Sequence, residues 1–550
     1  MRLVRKMNKQ LANCISNATQ CVVKVGEDTI KNHLLSEVIP EKAAENHKTR
    51  AVHIHDFEFY SISHNCIGIK TKSLFGDTPY SFLKALRALG RQIVWLTNLQ
   101  SGGIGFLDFD NDMAEYLDDI SDEDAVDGLR ELFFDLNSFS RKGCEKPYVT
   151  FNFGLATSEK GRRFTRLILE AYSKGDEHGN PFIFPNLVFK LKKEINFDAS
   201  SPNHDLYLKS LSVTSKRMVP TYFNCDAAGN SDANPDGIGI MGCRTRVVAN
   251  MYGEESGLNR GNVACVTVNL VQLAFRSGGD FCKFYEFLDE KMQDSRELLI
   301  HRLNYLAEHG EFTEIRSHNL YQSSEKPVIE MLKTGTLSIG FIGLWDAISV
   351  MHSVDFHDIG AMYKYHDEAF SIIKRMRETV DSYRDNDKLN FSLLASAAEG
   401  VSGTFAEYDS LNLGKNSPVC QKGYYTNSFH VPVFVDTDYT QKIDFEAPFH
   451  ALCNGGCITY VEMEEMPGNN VEATREVVEY AHDSGCNYIG INFPLDNCND
   501  CGFIGRISDK CPKCGSSNIR RLRRVSGYLA EENRFTNGKR KEMELRKAHL

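Results

Sequence analysis

Four cysteines near the C-terminus carry the clearest chemical signal in the chain. They form two Cys-x-x-Cys pairs, Cys498 with Cys501 and Cys511 with Cys514, and nine residues separate the pairs. Thiolates on two such turns can close a tetrahedron around one Zn²⁺, and a site filled by four protein ligands leaves no position open for a substrate. The spacing therefore predicts a structural zinc site that braces a neighbouring segment.

The segment that such a site would brace follows almost directly. Residues 523–529 read Arg-Arg-Val-Ser-Gly-Tyr-Leu, with the glycine at position 527. A radical on a backbone Cα is delocalised between the amide nitrogen and the carbonyl only when the centre is planar. A Cβ would crowd that arrangement, and glycine has none. An isolated Ser-Gly-Tyr is most often a surface turn, so the upstream cysteines are what favour a radical at Gly527.

An arginine-flanked Ser-Gly-Tyr next to paired zinc cysteines resembles the radical loop of the anaerobic, class III ribonucleotide reductases. Other segments resemble this family in order along the chain, from about residue 50 to the C-terminus. They include Pro147-Tyr-Val-Thr-Phe-Asn-Phe-Gly, Gly423-Tyr-Tyr-Thr-Asn-Ser-Phe-His-Val and Gly455-Gly-Cys-Ile-Thr-Tyr-Val-Glu. Each segment alone is a weak signal, whereas their order is specific.

The resemblance implies a ten-stranded α/β barrel of the glycyl-radical type with a small C-terminal zinc-ribbon and radical-loop module. Independently, apolar runs typical of strands alternate with helical stretches, which indicates an α/β protein with a mainly parallel sheet. We expect a helical extension over residues 1–50, the catalytic barrel over 51–485 and the zinc and radical module over 486–550. We expect no ATP-cone of the kind that regulated members carry, because only about fifty residues precede the His53 segment.

One cysteine in the N-terminal part matches the family's thiyl-radical residue. Cys66 comes eleven residues after the second histidine of His53-Ile-His-Asp. The resemblance implies that Gly527 takes hydrogen from Cys66, whose thiyl then abstracts the 3′-hydrogen of the ribose. By itself, a lone cysteine is more often a small buried apolar group. His53 and His55 point the same way on a strand and could instead bind a metal.

A second candidate pair lies further along the chain. Cys243, in Met-Gly-Cys-Arg, and Asn262, nineteen residues later, resemble the second cysteine and the asparagine of formate-dependent members. A second thiol can reduce the substrate radical after water leaves C2′, and a neutral amide can hydrogen-bond a ribose hydroxyl. The pair therefore predicts formate as the reductant. The alternative is a buried thiol and a turn asparagine.

Two further patterns are less informative. Residues 237–242 satisfy Gly-x-Gly-x-x-Gly, but they follow a polar turn where a dinucleotide fingerprint needs an apolar strand. Residues 397–400 read Ala-Ala-Glu-Gly where the family pattern is Thr-Pro-Ala-Glu-Asn or similar. This departure leaves open which backbone amides bind the substrate phosphates.

Composition limits the classes of partner. The net charge of −11 over 550 residues argues against a generic nucleic-acid surface and against an anionic membrane. The N-terminus has no apolar signal region and the chain no apolar run of about 18 residues, so we expect a soluble, cytoplasmic protein. Sixteen cysteines fit a reducing compartment, where they stay as thiols.

The sequence thus predicts an anaerobic ribonucleoside-triphosphate reductase that supplies deoxyribonucleotides for DNA synthesis. The resemblance implies a homodimer, nucleotide effectors and a separate radical-SAM activase with a 4Fe–4S cluster, which installs the glycyl radical. One rival is another glycyl-radical enzyme, a formate-lyase or a dehydratase, although the Gly-Cys-x-Glu pattern of several such enzymes is absent around Cys144 and Cys243. The other is a zinc-ribbon nucleic-acid binder using basic residues such as Arg520, which the acidic body disfavours.

Overall fold

A computed structural model describes residues 18–138, 146–247, 250–253, 257–318, 320–322, 326–397, 400–525 and 527–550. Within these ranges the strands are β1 (Val52–Ile54), β2 (Cys66–Ile69), β3 (Ile104–Phe106), β4 (Val149–Phe153), β5 (Asn186–Leu191), β6 (Thr221–Asn224), β7 (Gly239–Ile240), β8 (Arg246–Val247), β9 (Arg260–Asn269), β10 (Thr336–Ile342), β11 (Asn390–Ala395), β12 (Thr459–Glu462), β13 (Tyr488–Asn492), β14 (Leu495–Cys498), β15 (Ile504–Gly505), β16 (Ile519–Arg524) and β17 (Leu529–Glu531).

The helices of the described ranges connect and surround these strands. They are α1 (Ala18–His33), α2 (Glu41–Lys48), α3 (Lys72–Phe75), α4 (Phe82–Thr97), α5 (Phe109–Ala114), α6 (Asp122–Asn137), α7 (Glu159–Lys174), α8 (His204–Arg217), α9 (Leu270–Ser277), α10 (Phe281–His309), α11 (Thr313–Ser317), α12 (Val328–Lys333), α13 (Leu344–His352), α14 (Ile359–Tyr363), α15 (His366–Asp387), α16 (Val401–Asn412), α17 (Pro418–Gln421), α18 (Tyr439–His450), α19 (Val471–Asp483) and α20 (Asn537–Leu545). Among the residues described, none of these helices has the length and apolar character that a membrane span requires.

Ten strands follow one another in a single sheet, in the order β11-β10-β9-β2-β3-β4-β5-β6-β13-β12, and β1 pairs with β9 outside this path. Strands β2 to β6 run parallel to one another, as do β9 to β11 and, at the other end, β12 and β13. The two sets meet in antiparallel pairs, β2 with β9 and β6 with β13. The sheet is thus built from two halves that run in opposite directions.

The two edges of this sheet also meet. A parallel bridge joins Leu394 of β11 to Gly456, just before β12, and the Gly455 amide donates to the Leu393 carbonyl at 2.8 Å. Gly456 has φ +128°, and a Cβ there would lie 2.0 Å from the Arg244 carbonyl, so the closure needs glycine. The path therefore closes into the expected ten-stranded α/β barrel.

The barrel strands are read from the sequence as continuous apolar runs, because both faces of each strand are buried. Every residue of β4 and of β9 is buried, because the barrel interior covers one face of each strand and the surrounding helices cover the other. The helix that follows β4 shows the matching local signals. Helix α7 begins after Ser158, whose hydroxyl accepts from the Gly161 amide, and ends at Gly175, where φ is +73°.

A second, four-stranded sheet lies beyond the barrel, in the order β15-β14-β16-β17. It holds the four cysteines at one end, and β16 runs from them towards residues 525–528. Arg524, at the end of β16, donates to the Met218 carbonyl at 2.9 Å and so ties this sheet to the barrel. The boundary after residue 485 stays a prediction; β13 belongs to the barrel, and the second sheet begins at Leu495.

Candidate functional site

Cys66 lies at the first residue of β2 with its thiol buried. The thiol donates to the Asn65 Oδ1 at 2.8 Å and accepts from the Gly103 amide at 3.2 Å. Burial raises the pKa of Cys66 well above its ordinary value, although the Gly103 N–H acts in the opposite direction. A thiol of this kind keeps its hydrogen at neutral pH, so it suits hydrogen-atom transfer better than nucleophilic attack.

At two glycines near this thiol the backbone packs so closely against its neighbours that a side chain would not fit. A Cβ on Gly102 would lie 2.6 Å from the Cys66 Sγ, so the backbone can pass there only as glycine. A Cβ on Gly242 would lie 2.9 Å from the Tyr528 hydroxyl and 4.0 Å from the Cys66 Sγ. The Cys66 turn, the Gly242 loop and the loop of Tyr528 therefore meet at one point inside the barrel.

Cys243 and Asn262 lie beside Cys66. Cys243 follows Gly242, is partly exposed, and is close enough that its negative charge as a thiolate would raise the pKa of Cys66. Asn262 stands opposite Cys66 in the β2–β9 register. Its amide donates to the Ser338 Oγ at 2.5 Å, while its buried Oδ1 has no partner among the described residues. This oxygen is free to accept a hydrogen bond from a ligand hydroxyl.

A tyrosine that sequence reasoning missed clamps two of these residues. The Tyr321 hydroxyl is within hydrogen-bond distance of the Cys66 carbonyl, at 3.1 Å, and of the Asn262 carbonyl, at 3.2 Å. Its backbone is left-handed, with φ +57°, which is uncommon for a residue other than glycine. Tyr321 stands in no recognisable pattern, so only the fold reveals that it fixes β2 against β9.

The loop of Gly527 enters the barrel between aromatic side chains. The Tyr528 ring lies 4.9 Å from that of Tyr148 and 5.5 Å from that of Phe184, both just ahead of barrel strands. The Tyr460 hydroxyl of β12 donates to the Gly527 carbonyl at 3.4 Å. These contacts bring the loop to the same point as Cys66 and Cys243.

A buried cluster of charged side chains forms around Glu446. Glu446 accepts from the Val431 amide at 2.9 Å and from the Nζ of Lys442, and it lies 3.2 Å from the His430 Nδ1. Burial raises the pKa of Glu446, but the charges and hydrogen bonds of Lys442 and His430 together outweigh burial and hold the pKa below its ordinary value. His430 in turn lies 3.4 Å from Arg244, so the cluster reaches the residue that follows Cys243.

The four C-terminal cysteines come together as predicted. Their sulfur atoms all lie within 4.8 Å of one another, with 3.6 Å between Cys498 and Cys514 and 3.5 Å between Cys501 and Cys511. Tetrahedral Zn–S bonds of about 2.3 Å place neighbouring sulfurs about 3.8 Å apart. The cluster could therefore hold a metal ion such as Zn²⁺.

Metal binding by His53 and His55 receives no such support. Within the described residues, the cysteine cluster is the only group of three or more His, Cys, Asp or Glu side chains close enough to hold a metal. The His55 Nε2 lies 2.7 Å from the Thr267 hydroxyl, and burial lowers the pKa of His55 to about 4. Both histidines are partly buried beside β9, and the loss of solvation lowers the pKa of each, which favours the neutral ring at neutral pH.

A family model described as anaerobic ribonucleoside-triphosphate reductase matches residues 11–549. The chain belongs to this family. It is an anaerobic ribonucleotide reductase, and family membership sets aside the zinc-ribbon nucleic-acid binder and the other glycyl-radical enzymes.

Similar proteins cover the whole reductase chain. The anaerobic ribonucleoside-triphosphate reductase of Salmonella typhimurium is 28% identical, over 100% of this chain and 85% of its own length. The enzyme of phage T4 is 27% identical, over 100% of this chain and 98% of its own length. The Thermotoga maritima anaerobic ribonucleotide reductase, solved with dATP and CTP, has the same fold, with a TM-score of 0.74, 19% identity and coverage of 96% and 92%.

Some predicted features fall outside the described residues. Ala398 and Glu399, in the segment expected to bind substrate phosphates, lie outside them, as do Cys144 and Ser526. Tyr460 was within reach of sequence reasoning, because it belongs to a segment that resembles the family. Asn65 and Ser338 were not, because neither residue stands in a distinctive pattern.

Proposed function

We propose that the reductase converts ribonucleoside triphosphates to 2′-deoxyribonucleoside triphosphates by a glycyl and thiyl radical mechanism, with formate as the reductant. The observation that carries the proposal is that three loops meet beside Gly242, at the point where a Cβ added to this glycine would lie. The Cys66 thiol lies 4.0 Å from that position and the Tyr528 hydroxyl 2.9 Å from it. Gly527 precedes Tyr528, and Cys243 follows Gly242, so all the reacting groups share one small space.

The proposed roles follow from the chemistry of each side chain. The Gly527 Cα takes a hydrogen atom from the neutral Cys66 thiol, and the Cys66 thiyl takes the 3′-hydrogen of the ribose. The C2′–O bond breaks and its oxygen leaves as water with the proton of the 3′-hydroxyl, which leaves a ketone at C3′ and a radical at C2′. The C2′ radical then takes the hydrogen atom of the Cys243 thiol. Asn262 orients a ribose hydroxyl through its Oδ1. Formate gives a hydrogen atom to the Cys243 thiyl and one electron, with a proton from solvent, to the C3′ ketone, and leaves as CO₂. Cys66 then returns a hydrogen atom to C3′ and regains one from Gly527, which restores the glycyl radical.

The fold supports this assignment by enclosing the reaction. Tyr528 lies against Tyr148 and Phe184, and both Gly527 and the Cys66 thiol are buried. Exclusion of water and oxygen protects carbon and sulfur radicals from side reactions. The barrel thus supplies the dry site that the proposed intermediates need.

The partners of the reductase are part of the same proposal. A Thermotoga maritima anaerobic reductase was solved with dATP in its specificity site, and we infer that nucleotide effectors also act on this chain. The family resemblance supplies the homodimer and the radical-SAM activase with its 4Fe–4S cluster. A cytoplasmic location, where ribonucleotides and formate are available, stays a prediction.

Electron paramagnetic resonance after anaerobic activation tests the radical. A glycyl radical with one α-hydrogen gives a doublet, which collapses to a single line when the protein carries glycine deuterated at Cα. Gly527→Ala is expected to give no signal. An active enzyme without this doublet would overturn the radical assignment. Release of ¹⁴CO₂ from ¹⁴C-formate in equal amount to deoxynucleotide tests the reductant, and full turnover without formate would exclude it.

The cysteine cluster leads to a separate prediction. Cys498→Ser removes one of four ligands from a site that is closed to substrate, so it should lower zinc content and radical yield together. Binding of nucleotides to the barrel should persist, because the cluster belongs to the second sheet. Elemental analysis, spin counting and nucleotide binding measure the three quantities. Full radical yield in zinc-free protein would show that the cluster does not brace the loop.

A further inference from the structure

Arg546, directly after helix α20, packs against the loop that carries Gly527. Only 12% of its side chain is exposed. Its Nη2 donates to the Val525 carbonyl at 2.8 Å and to the Glu542 Oε1 at 2.9 Å. Its Nη1 donates to the Glu462 carboxylate and lies 3.5 Å from the Arg524 carbonyl. One guanidinium therefore contacts a barrel strand, the C-terminal helix and the loop backbone.

The barrel strand β12 thus holds the loop at two places. Tyr460 contacts the Gly527 carbonyl directly, and Glu462 reaches the Val525 carbonyl through Arg546. Residues two apart on a strand face the same side and lie about 6.6 Å apart. The carbonyls of residues 525 and 527 are also two residues apart. The two-residue spacing along the strand therefore matches the two-residue spacing along the loop, and one of the two loop carbonyls is that of Gly527.

The charge and shape of arginine suit this place. Burial lowers the pKa of Arg546, but Glu462 and Glu542 more than offset the effect and the pKa is raised, so the side chain stays charged. The planar guanidinium presents several N–H donors in a fixed fork, which can serve two carboxylates and a carbonyl at once. A lysine ammonium in the same place keeps the charge but lacks this fork.

The chain beyond Arg546 is itself fixed to the barrel. The Lys547 amide donates to the Val433 carbonyl at 2.8 Å, and the His549 amide donates to the Glu462 carbonyl at 2.7 Å. The Glu464 amide donates to the Leu550 carbonyl at 3.0 Å. Arg546 is therefore anchored on both sides, by helix α20 before it and by this tail after it.

We propose that Arg546 is a positioning residue, which fixes the backbone carbonyls of Arg524 and Val525 so that the Gly527 Cα and the Cys66 thiol stay within reach of each other. This inference rests on the proposed function of Gly527 as the radical site. The guanidinium of Arg546 contacts Glu462, Glu542 and the loop backbone, so the proposed role acts through the loop. A misplacement of about 1 Å at a reacting centre can lower a rate on the order of 10²-fold.

The test compares Arg546→Ala with Arg540→Ala, which removes an exposed arginine from helix α20. Each activated variant receives 3′-tritiated nucleotide, and tritium release is divided by the number of spins. We expect release per spin to fall by about tenfold to a hundredfold in Arg546→Ala and to stay unchanged in Arg540→Ala. Guanidinium ion at a non-denaturing concentration should partly restore Arg546→Ala, because it can fill the space left by the side chain.

Release per spin equal to wild type in Arg546→Ala would overturn the proposal, even if fewer spins formed. If Arg546→Ala does not fold, Arg546→Lys keeps a positive charge between the two carboxylates and carries the same test. Wild-type release per spin in Arg546→Lys would then overturn the proposal. Absence of the doublet from the active wild-type enzyme is a different result, since it removes the glycyl radical itself and not the role of Arg546 alone.

Discussion

Air admitted to the activated reductase is expected to cut the chain at Gly527. Molecular oxygen adds to a carbon-centred backbone radical, and the peroxyl product fragments the main chain. The released piece should hold residues 528–550 with or without part of residue 527. Mass spectrometry of the air-exposed protein measures both the fragment and the shortened chain, and the doublet should disappear at the same rate as the fragment forms.

Two controls separate this cut from ordinary proteolysis. Wild-type protein exposed to air before activation should stay intact, because Gly527 is buried and carries no radical. Gly527→Ala treated with the activase and then with air should also stay intact. An uncut chain in a sample that held the doublet before exposure would contradict the assignment of the radical to Gly527.

Much of the barrel could be predicted from apolar runs, since continuous buried strands leave a strong local signal. The run Ala264-Cys-Val-Thr-Val-Asn-Leu lies almost wholly in β9, and Leu337-Ser-Ile-Gly-Phe-Ile-Gly-Leu overlaps β10. The boundaries were less accurate. A third apolar run, Phe182-Ile-Phe-Pro-Asn-Leu-Val-Phe, becomes a strand only at Asn186, because Pro185 has no N–H for the ladder.

The closure of the barrel left no comparable signal. It depends on a bridge between Leu394 and Gly456, residues that lie far apart in the chain, and on a backbone approach to the Arg244 carbonyl that only the folded protein shows. A glycine in a polar loop is compatible with many turns. The number of strands and the closed path were therefore expected from the family resemblance and not from local periodicity.

The residues of the candidate site also fall into two groups, those that the sequence reveals and those that only the structure reveals. Cys66, Cys243 and Asn262 were found because their flanking residues resemble a family, and the structure brings them together. Tyr321 and Arg546 contact backbone carbonyl groups, and a backbone carbonyl has no sequence signature. Tyr321 is 255 residues from the Cys66 carbonyl that its hydroxyl approaches, so no local pattern could connect them.

Serine at Cys66 or at Cys243 is expected to abolish deoxynucleotide formation, and the two variants should stop at different steps. Serine keeps the approximate volume, but its O–H bond is too strong to form the radical that the thiol forms. Gly527 is oxidised before either thiol is needed, so both variants should show the doublet after activation. Cys420→Ser is a suitable control, because its buried thiol lies 3.3 Å from the Tyr425 hydroxyl, which a serine can also contact.

The step reached can be measured with a 3′-tritiated nucleotide. In Cys66→Ser no thiyl forms, so tritium should stay on the ribose and the nucleotide should be recovered unchanged. In Cys243→Ser the thiyl of Cys66 can still take the 3′-hydrogen, so the substrate radical forms but is not reduced. Tritium and free base should then be released without deoxynucleotide. Release from Cys66→Ser equal to wild type would show that another group abstracts the 3′-hydrogen, whereas an inert Cys243→Ser would place Cys243 before that step.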